Sequence, residues 1–256
     1  MKVLSYCLVI ILSVLLMAGC TGKGQGKKDS APEIDTVSVP DTGYTGIKQY
    51  MSSGSLLKEI TFNNGVRHGL MKTYYQSGKL YQTFWYENGL REDSAVWYYA
   101  EGQPFRTTPF KNDTVDGLQK QYYRTGDIKA IIGYEKGLRT PLLEEYDKKG
   151  RLYKNYPEIV TNINDEYSTK GIYTIDLEMS DNTEKVKFYE GEFTDGRFDT
   201  TQCKPIETIE GKASIQLEKT GSSGKDYIGV IAEVITLYGN RNLIYKKIDL
   251  PYNDLN

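Results

Sequence analysis

A chain of 256 residues has room for one or two domains with a sizeable core, and a formal net charge of −2 excludes the basic footprint of a nucleic-acid-binding face. Hydrophobic content is 39%, yet there are 22 tyrosines, a combination suited to half-exposed sheet in which a ring packs its body and wets its hydroxyl. Three cysteines, Cys7, Cys20 and Cys203, do not make a disulfide framework.

The chain opens on Lys2 and an apolar run from Val3 to Leu16, broken by Ser5, Tyr6 and Ser13. Met17-Ala18-Gly19-Cys20 follows. The run is shorter than the ~20 apolar residues of a spanning helix and has no basic stop after it. The segment resembles the bacterial lipoprotein signal, in which small residues precede a cysteine that is cleaved and lipidated. That resemblance implies a signal peptide over 1–19 and a mature chain held on a membrane by acyl chains on Cys20. Each buried methylene adds ~0.8 kcal/mol to such an anchor.

Residues 20–45 read as a flexible linker. Gly22, Gly24 and Gly26 alternate with Lys23, Gln25 and Lys27, and Pro32 and Pro40 follow. Little there can be buried, so the cost of ordering it is not recovered. The glycines do not make a phosphate loop, since no strand precedes them and no helix follows. The lysines suit either a solvated linker or anionic lipid heads.

From Tyr50 to Leu152 the chain repeats every 24 residues. Gly54, Gly78, Gly102, Gly126 and Gly150 mark the period, each preceded four residues earlier by Tyr50, Tyr74, Tyr98, Tyr122 or Tyr146. Phe62, Tyr86, Phe110 and Tyr134 follow at a constant offset, and then Gly65, Gly89, Asp113 and Gly137. A fixed period of this kind is the signature of a repeat architecture. Asn64-Gly65 and Asn88-Gly89 favour type I′ turns, which match the twist of hairpin strands. Two tight turns per period leave about ten residues for each of two strands, so each unit is a hairpin. Consecutive hairpins then form an antiparallel meander over 46–154. Gly69 and Gly117 stand where a bulge or close approach is expected, whereas Asp93 and Pro141 break that pattern.

Alternation separates two faces. One carries Leu56, Ile60 and Phe62, then Leu80, Phe84 and Tyr86, then Ile128, Ile132 and Tyr134, with a weaker set at Pro104, Thr108 and Phe110. Leu70 and Tyr74, Val96 and Tyr98, and Leu118 and Tyr122 are assigned to this structural stripe. Tyr81, Trp85, Trp97, Tyr75, Tyr99, Phe105 and Tyr123 are assigned to the opposite face, which is too aromatic for plain solvent exposure. Tyr75, Trp85, Trp97, Tyr99 and Tyr123 are therefore the expected binding residues, because contiguous exposed aromatic area marks interaction sites.

Phe62-Asn63-Asn64-Gly65-Val66-Arg67-His68-Gly69, followed by Tyr74-Tyr75-Gln76-Ser77-Gly78-Lys79-Leu80, resembles the variant MORN repeat of bacterial proteins. Tyr86-Glu87-Asn88-Gly89 with Tyr98-Tyr99, and Tyr122-Tyr123-Arg124-Thr125-Gly126, repeat the pattern across about residues 46–152. The resemblance implies an elongated, twisted, single-layer antiparallel sheet that binds proteins or lipids without catalysis. Such proteins often carry an antitoxin-like label. The third unit departs most, with Asn112-Asp113 at the turn and Pro104 and Pro109 in its first strand, which puts its strand pairing in question.

After Lys154 the period is lost, and 155–256 reads as a small all-β domain, a sandwich or barrel of five to seven strands. Tyr173, Ile175, Leu177 and Met179 alternate with polar neighbours, as do Ala213, Ile215 and Leu217. Tyr227 to Tyr238 is apolar on both faces and reads as a central strand, turned by Gly239-Asn240 into a terminal hairpin.

Candidate chemistry is sparse. His68 is the one histidine, so a transition-metal site is not expected, and neither is any cofactor. Cys203 has no histidine in its own domain to activate it and reads as a small buried residue. Glu192, Asp195 and Asp199 surround a Gly196 turn without the oxygen-ligand spacing of a calcium loop. The expectation is a lipid-anchored protein of the bacterial cell envelope, at the outer membrane. Its repeat sheet is a non-catalytic binding or scaffold module for an envelope protein, polymer or lipid. The alternative is a hydrolase with a carboxylate site in the C-terminal domain.

Overall fold

The computed structural model describes residues 43–256. The signal segment, Cys20 and nearly all of the 20–45 linker lie outside the described residues. No helix among the described residues is long and apolar enough to cross a membrane.

The repeats build one ten-stranded antiparallel sheet. Its strands are β1 (Gly46–Ser52), β2 (Ser55–Asn63), β3 (Val66–Tyr74), β4 (Leu80–Glu87) and β5 (Leu90–Tyr98). They continue as β6 (Pro104–Lys111), β7 (Thr114–Val115), β8 (Gly117–Tyr122), β9 (Ile128–Glu135) and β10 (Leu138–Glu145). Strand order follows chain order, with β7 paired to β6 as a short piece of the same hairpin arm as β8. This is the expected meander, one hairpin per period.

Every Asn-Gly position has left-handed backbone at both turn residues. Asn88 and Gly89 have φ of 50° and 88°, and Asn112 and Asp113 have 49° and 64°. The third unit therefore keeps the type I′ turn without glycine, and its pairing is intact, with Phe110 opposite Val115 and Lys111 opposite Thr114. The doubt raised by its sequence is removed. Asp113 is held by its own carboxylate, which accepts hydrogen bonds from the Arg91 backbone N–H at 2.9 Å and from Arg91 Nε at 2.7 Å. Burial raises the affinity of that carboxyl for a proton, but the bonds from Arg91 outweigh it and hold its pKa below the ordinary value.

Asp93 likewise keeps the backbone its sequence seemed to lose. It lies at φ 58°, matching Gly69 at 98° and Gly117 at 112°, 24 residues to either side. The register shifts beside these positions, between Ile60 and Phe62 and between Thr83 and Trp85, so each is a bulge. Pro141, whose ring forbids that φ, falls in the corresponding irregularity between Arg139 and Leu143. A second set of shifts falls at the recurring tyrosines, beside Tyr50, Tyr74, Tyr98 and Tyr122.

Both ends of each hairpin bond to a neighbouring repeat. At the Asn-Gly end, Gly89 N–H donates to Arg67 O at 2.8 Å, Asp113 N–H to Arg91 O at 3.0 Å, and Gly137 N–H to Val115 O at 2.9 Å. At the Ser-Gly end, the second tyrosine of each Tyr-Tyr pair donates its hydroxyl to the carbonyl of the next recurring tyrosine. Tyr75 reaches Tyr98 O at 2.7 Å, Tyr99 reaches Tyr122 O at 2.9 Å, and Tyr123 reaches Tyr146 O at 2.7 Å. Gly89→Val is expected to destabilise the sheet by about 1 kcal/mol or more, because φ is 88° there and a Cβ would sit 3.3 Å from Val66 Cγ1. Asp113→Val is expected to cost a comparable amount, because φ is 64° there and valine also loses the hydrogen bonds from Arg91. Thermal melts of the two variants beside wild type check both.

The remaining strands form a sandwich. One sheet runs in the order β11 (Ile159–Glu166), β12 (Ile172–Met179), β16 (Lys212–Glu218), β15 (Thr208–Ile209). The other runs β14 (Lys204–Ile206), β13 (Val186–Glu190), β17 (Tyr227–Ile235), β18 (Arg241–Asp249). A one-turn helix, α1 (Tyr167–Lys170), links β11 to β12. Ile175, Leu177, Phe188, Ile215, Val230 and Ile248 from both sheets share one buried cluster, so the expected sandwich forms and no barrel closes. Eight strands exceed the five to seven expected, because the short β14 and β15 carry no alternating pattern. The alternating runs behave as anticipated, and β17 is central with both faces covered. Its outward Ile231 packs with Leu243, Phe198 and Cys203.

The last repeat strand abuts this sandwich. Phe198 N–H donates to Arg139 O at 2.8 Å, and Arg139 Nη2 donates to Arg241 O at 2.7 Å. Glu145, fully buried at the end of β10, accepts from Thr236 Oγ1 and Asn240 Nδ2, each at 2.7 Å, and from Tyr156 OH at 3.2 Å.

Candidate binding surface

The sheet has two chemically different faces, and the two-residue turns decide which residues share one. Such a turn pairs Phe62 with Arg67 and Tyr86 with Arg91, so even-numbered residues of the first strand sit beside odd-numbered residues of the second. Ile60, Phe62, Phe84, Tyr86, Phe110 and Ile132 are buried on the inner face, as the stripe reading expects. Their second-strand companions are Met71 and Ala95, both buried, and not Leu70, Val96 and Leu118. Those three face outward, which corrects the assignment made from hydrophobicity alone.

Arginines lie over the inner rings. Arg67 Cζ is 5.3 Å from the Tyr86 ring, Arg91 is 4.4 Å from Phe110, Arg106 is 4.0 Å from Trp97 and Arg139 is 5.6 Å from Tyr134. A guanidinium over a ring covers apolar surface, and at Arg106 and Arg139 it does so with the Nε itself buried.

The outer face carries a largely apolar row across the strands, interrupted on β5 by Glu92 opposite Trp85 and Ser94 opposite Pro109. Leu70 stands directly opposite Trp85, and Leu118 opposite Gly133. Leu142 covers Gly133, where an added Cβ would come within 2.9 Å of Leu142 Cβ. Pro109, paired with Ser94, continues the row toward Leu118. Leu70 is 37% exposed, Trp85 46%, Leu118 49% and Leu142 41%. From β3 to β10 the row crosses six strand spacings, roughly 29 Å. A mixed row borders it, with Glu59 opposite Lys72, Val96 opposite Thr107, and Lys120 opposite Ile131, so polar and aliphatic residues are interspersed along it. Beyond that row lie the recurring tyrosines. Tyr74 donates to Glu59 Oε2 at 2.5 Å, and its phenol is pushed up to about 12 by burial and by that carboxylate. Tyr146 donates to Glu144 Oε2 at 2.7 Å. An apolar band with a mixed-charge rim is the composition of a protein-binding patch.

The five residues expected to form one aromatic face do not do so. Trp85 is on the outer face and open. Trp97 is on the inner face, edge-on to Phe84 at 5.4 Å and stacked by Arg106. Tyr75 is buried, and Tyr75, Tyr99 and Tyr123 spend their hydroxyls on the next repeat. The turn parity and the bulges at the tyrosines separate residues that simple alternation groups together. Leu70, Pro109, Leu118 and Leu142 were missed as surface residues. The signal is two 24-residue series, 70, 94, 118 and 142 for the leucines (with Ser94 as the exception) and 85 and 109 for Trp85 and Pro109, combined with the odd pairing sum that a two-residue turn imposes.

Catalytic candidates fare as follows. His68 Nδ1 meets the Asn88 N–H at 3.5 Å within the bulge. Cys203 is buried, its thiol pKa is pushed up by burial and by Asp199, and it lies beside Glu192 O at 3.8 Å. A thiol raised in this way is a poor nucleophile. An open groove of about 480 Å³ on the wet side of β12 and β16 is lined by Asn162, Asp176, Glu178, Glu207, Lys212 and Ser214 among others. Glu178 there is already engaged by Lys212 at 3.2 Å and Asn162 at 3.4 Å. Among the described residues no three His, Cys, Asp or Glu side chains gather as a metal site.

Comparison with known families gives a match to the MORN repeat variant over residues 67–88 and 115–136. The unmatched copy between them holds Pro104, Pro109 and Asp113. No curated protein and no solved structure gives a significant match to the chain. Repeats of this type generally serve as binding or scaffold modules. The two matched segments start 48 residues apart, two periods, in a single unbroken sheet, and each is similar to the MORN repeat variant.

Proposed function

We propose that this protein is a lipid-anchored component of the bacterial cell envelope whose repeat sheet binds another envelope protein through its outer face. The observation that carries this reading is the exposed row of Leu70, Trp85, Leu118 and Leu142 across the sheet. Two outward-facing apolar clusters, Leu70 with Trp85 and Pro109 with Leu118 and Leu142, separated on β5 by Glu92 and Ser94, give the mixed apolar and polar surface that interfaces take. The anchor reading rests on the sequence, where an apolar run ends in Met17-Ala18-Gly19-Cys20. The sheet is the contact module and the sandwich buttresses its last strand.

Two measurements test the proposal. Mass spectrometry of the mature N-terminus is expected to find lipid on Cys20; an unmodified Cys20, or a retained 1–19 segment, refutes the anchor. Cross-linking in envelopes through a photoreactive group in place of Ser94, exposed on the same face, is expected to capture a discrete protein, and Trp85→Ala with Leu118→Ser is expected to abolish the adduct. Aromatic anchors of this kind carry about 2 kcal/mol or more of binding energy. An adduct that survives both substitutions would place the contact elsewhere.

A further inference from the structure

We propose that the inner face holds a second site, a receptor for a carboxylate group centred on Arg106. The argument begins with what the repeat does and does not require. Positions 58, 82, 106 and 130 are equivalent by the 24-residue period and hold Lys58, Gln82, Arg106 and Ala130. Gln82 and Ala130 are buried there without a positive charge, so the architecture does not need one at this place. The same holds for Trp97, whose equivalents are Thr73, Gln121 and Glu145. Trp97 is thus individual to the middle of the sheet and Arg106 shares a positive charge only with Lys58 in the first repeat; the register places Arg106 and Trp97 opposite one another, with Gln82 beyond Trp97 and Gln121 beyond Arg106.

Arg106 is electrostatically unfinished. Arg91, Arg124, Arg151, Arg197 and Arg241 each pair with a carboxylate, while Arg67 and Arg139 donate to a tyrosine hydroxyl and a backbone carbonyl. Among the described residues Arg106 has no hydrogen-bond acceptor for any of its nitrogens; its Nε is buried without a partner, as is that of Arg139, whose Nη2 however donates to Arg241 O. Its Cζ sits over the Trp97 ring at 4.0 Å from the centroid, a contact that uses none of its five donors. Burial pushes the guanidinium pKa down, with Tyr81 and Tyr134 close enough to offset part of that. Leaving a desolvated donor unpaired is costly, whereas a planar anion relieves it with two parallel bonds. The planar guanidinium fork is preorganised for that geometry. Gln82 and Gln121 flank Arg106 in the register, but their amides donate to Thr73 Oγ1 at 3.4 Å and Asn240 Oδ1 at 2.8 Å, so the guanidinium alone is the recognition element. The fitting class is a carboxylate, either the free C-terminus of a peptide or an acidic sugar.

The chain has two tryptophans, so Trp85→Phe leaves Trp97 as the sole indole reporter, in contact with the guanidinium. The full chain in detergent, carrying Trp85→Phe, is titrated with N-acetylalanine, glucuronate, N-acetylalaninamide, glucose and inorganic phosphate. A saturable change in Trp97 fluorescence is expected with at least one carboxylate and not with its neutral counterpart. Response to N-acetylalanine alone identifies a peptide terminus, and to glucuronate alone an acidic sugar. Response to both makes the fork the sole determinant. Arg106→Met is expected to weaken binding by at least about ten-fold, and Arg106→Lys, which keeps charge but loses the fork, by a similar factor. If Arg106→Met does not fold, Arg106→Lys decides. No saturable response to either carboxylate, an equal response to the neutral compounds, tighter binding of phosphate, or unchanged affinity in the folded Arg106 variants would overturn the site. Because Trp85 and Leu118 are on the other face, failure here leaves the outer-face reading standing.

Discussion

Glu145→Ala is expected to be strongly destabilising, by about 2–5 kcal/mol, although it removes only a small carboxyl group. That group is fully buried where the last repeat strand meets the sandwich, and three neutral donors converge on it. Truncation leaves the Thr236 and Tyr156 hydroxyls and the Asn240 amide without their acceptor in a dry site. Asn240 also accepts from Gln121 Nε2 at 2.8 Å, so the disturbance reaches β8. Glu145→Gln is the informative companion. Its oxygen still accepts from Thr236 and Asn240, and its amide donates to the Tyr156 oxygen, so it should retain most of the stability. Chemical denaturation followed separately by tryptophan fluorescence, which reports the sheet, and by far-ultraviolet dichroism, which reports both parts, checks the result. A Glu145→Ala protein that melts like wild type would show that the Phe198 and Arg241 contacts alone hold the junction.

Two adjacent residues give the second large effect. Phe84→Ala is expected to cost about 3–5 kcal/mol, and Trp85→Ala less than about 1 kcal/mol. Phe84 is buried among Tyr86, Trp97 and Phe110, at ring separations of 6.4, 5.4 and 6.1 Å. Trp85, the larger side chain, points the other way and meets Leu70 in the open. Truncation of Phe84 opens a cavity in a packed cluster, whereas truncation of Trp85 removes surface that is largely wet already. Thermal melts of the two variants settle the face assignment. Comparable losses would mean that the outer row is covered by the protein itself and is not a free surface.

The hairpin period, the turn positions, the strand order and the alternating runs of the sandwich were all legible along the chain. They follow from nearest-neighbour physics: Asn-Gly closes a tight turn, tight turns force antiparallel pairing, and pairing in chain order needs no long-range information. The left-handed backbone at Asp93 and Asp113 was less visible. Aspartate tolerates that region only with local support, which for Asp113 comes from Arg91, 22 positions away.

The candidate site was read less well. Trp85 was identified as a surface residue, but Trp97, Tyr75, Tyr99 and Tyr123 were placed beside it by assuming uninterrupted alternation. Each repeat inserts two bulges, and each two-residue turn makes the paired numbers sum to an odd value, so the face of a residue depends on its partner. The tyrosine hydroxyls show the same dependence. Nothing local distinguishes Tyr98 from Tyr99, yet one sits at a register shift and the other donates to Tyr122 O in the next repeat. The sequence by itself determined the period and hence the sheet, because both depend on turns that close within a few residues. Only the tertiary structure decided which leucines are exposed, which arginine lacks an acceptor and where Glu145 is buried. Those properties belong to pairs of residues brought together by register, and register is set across strands.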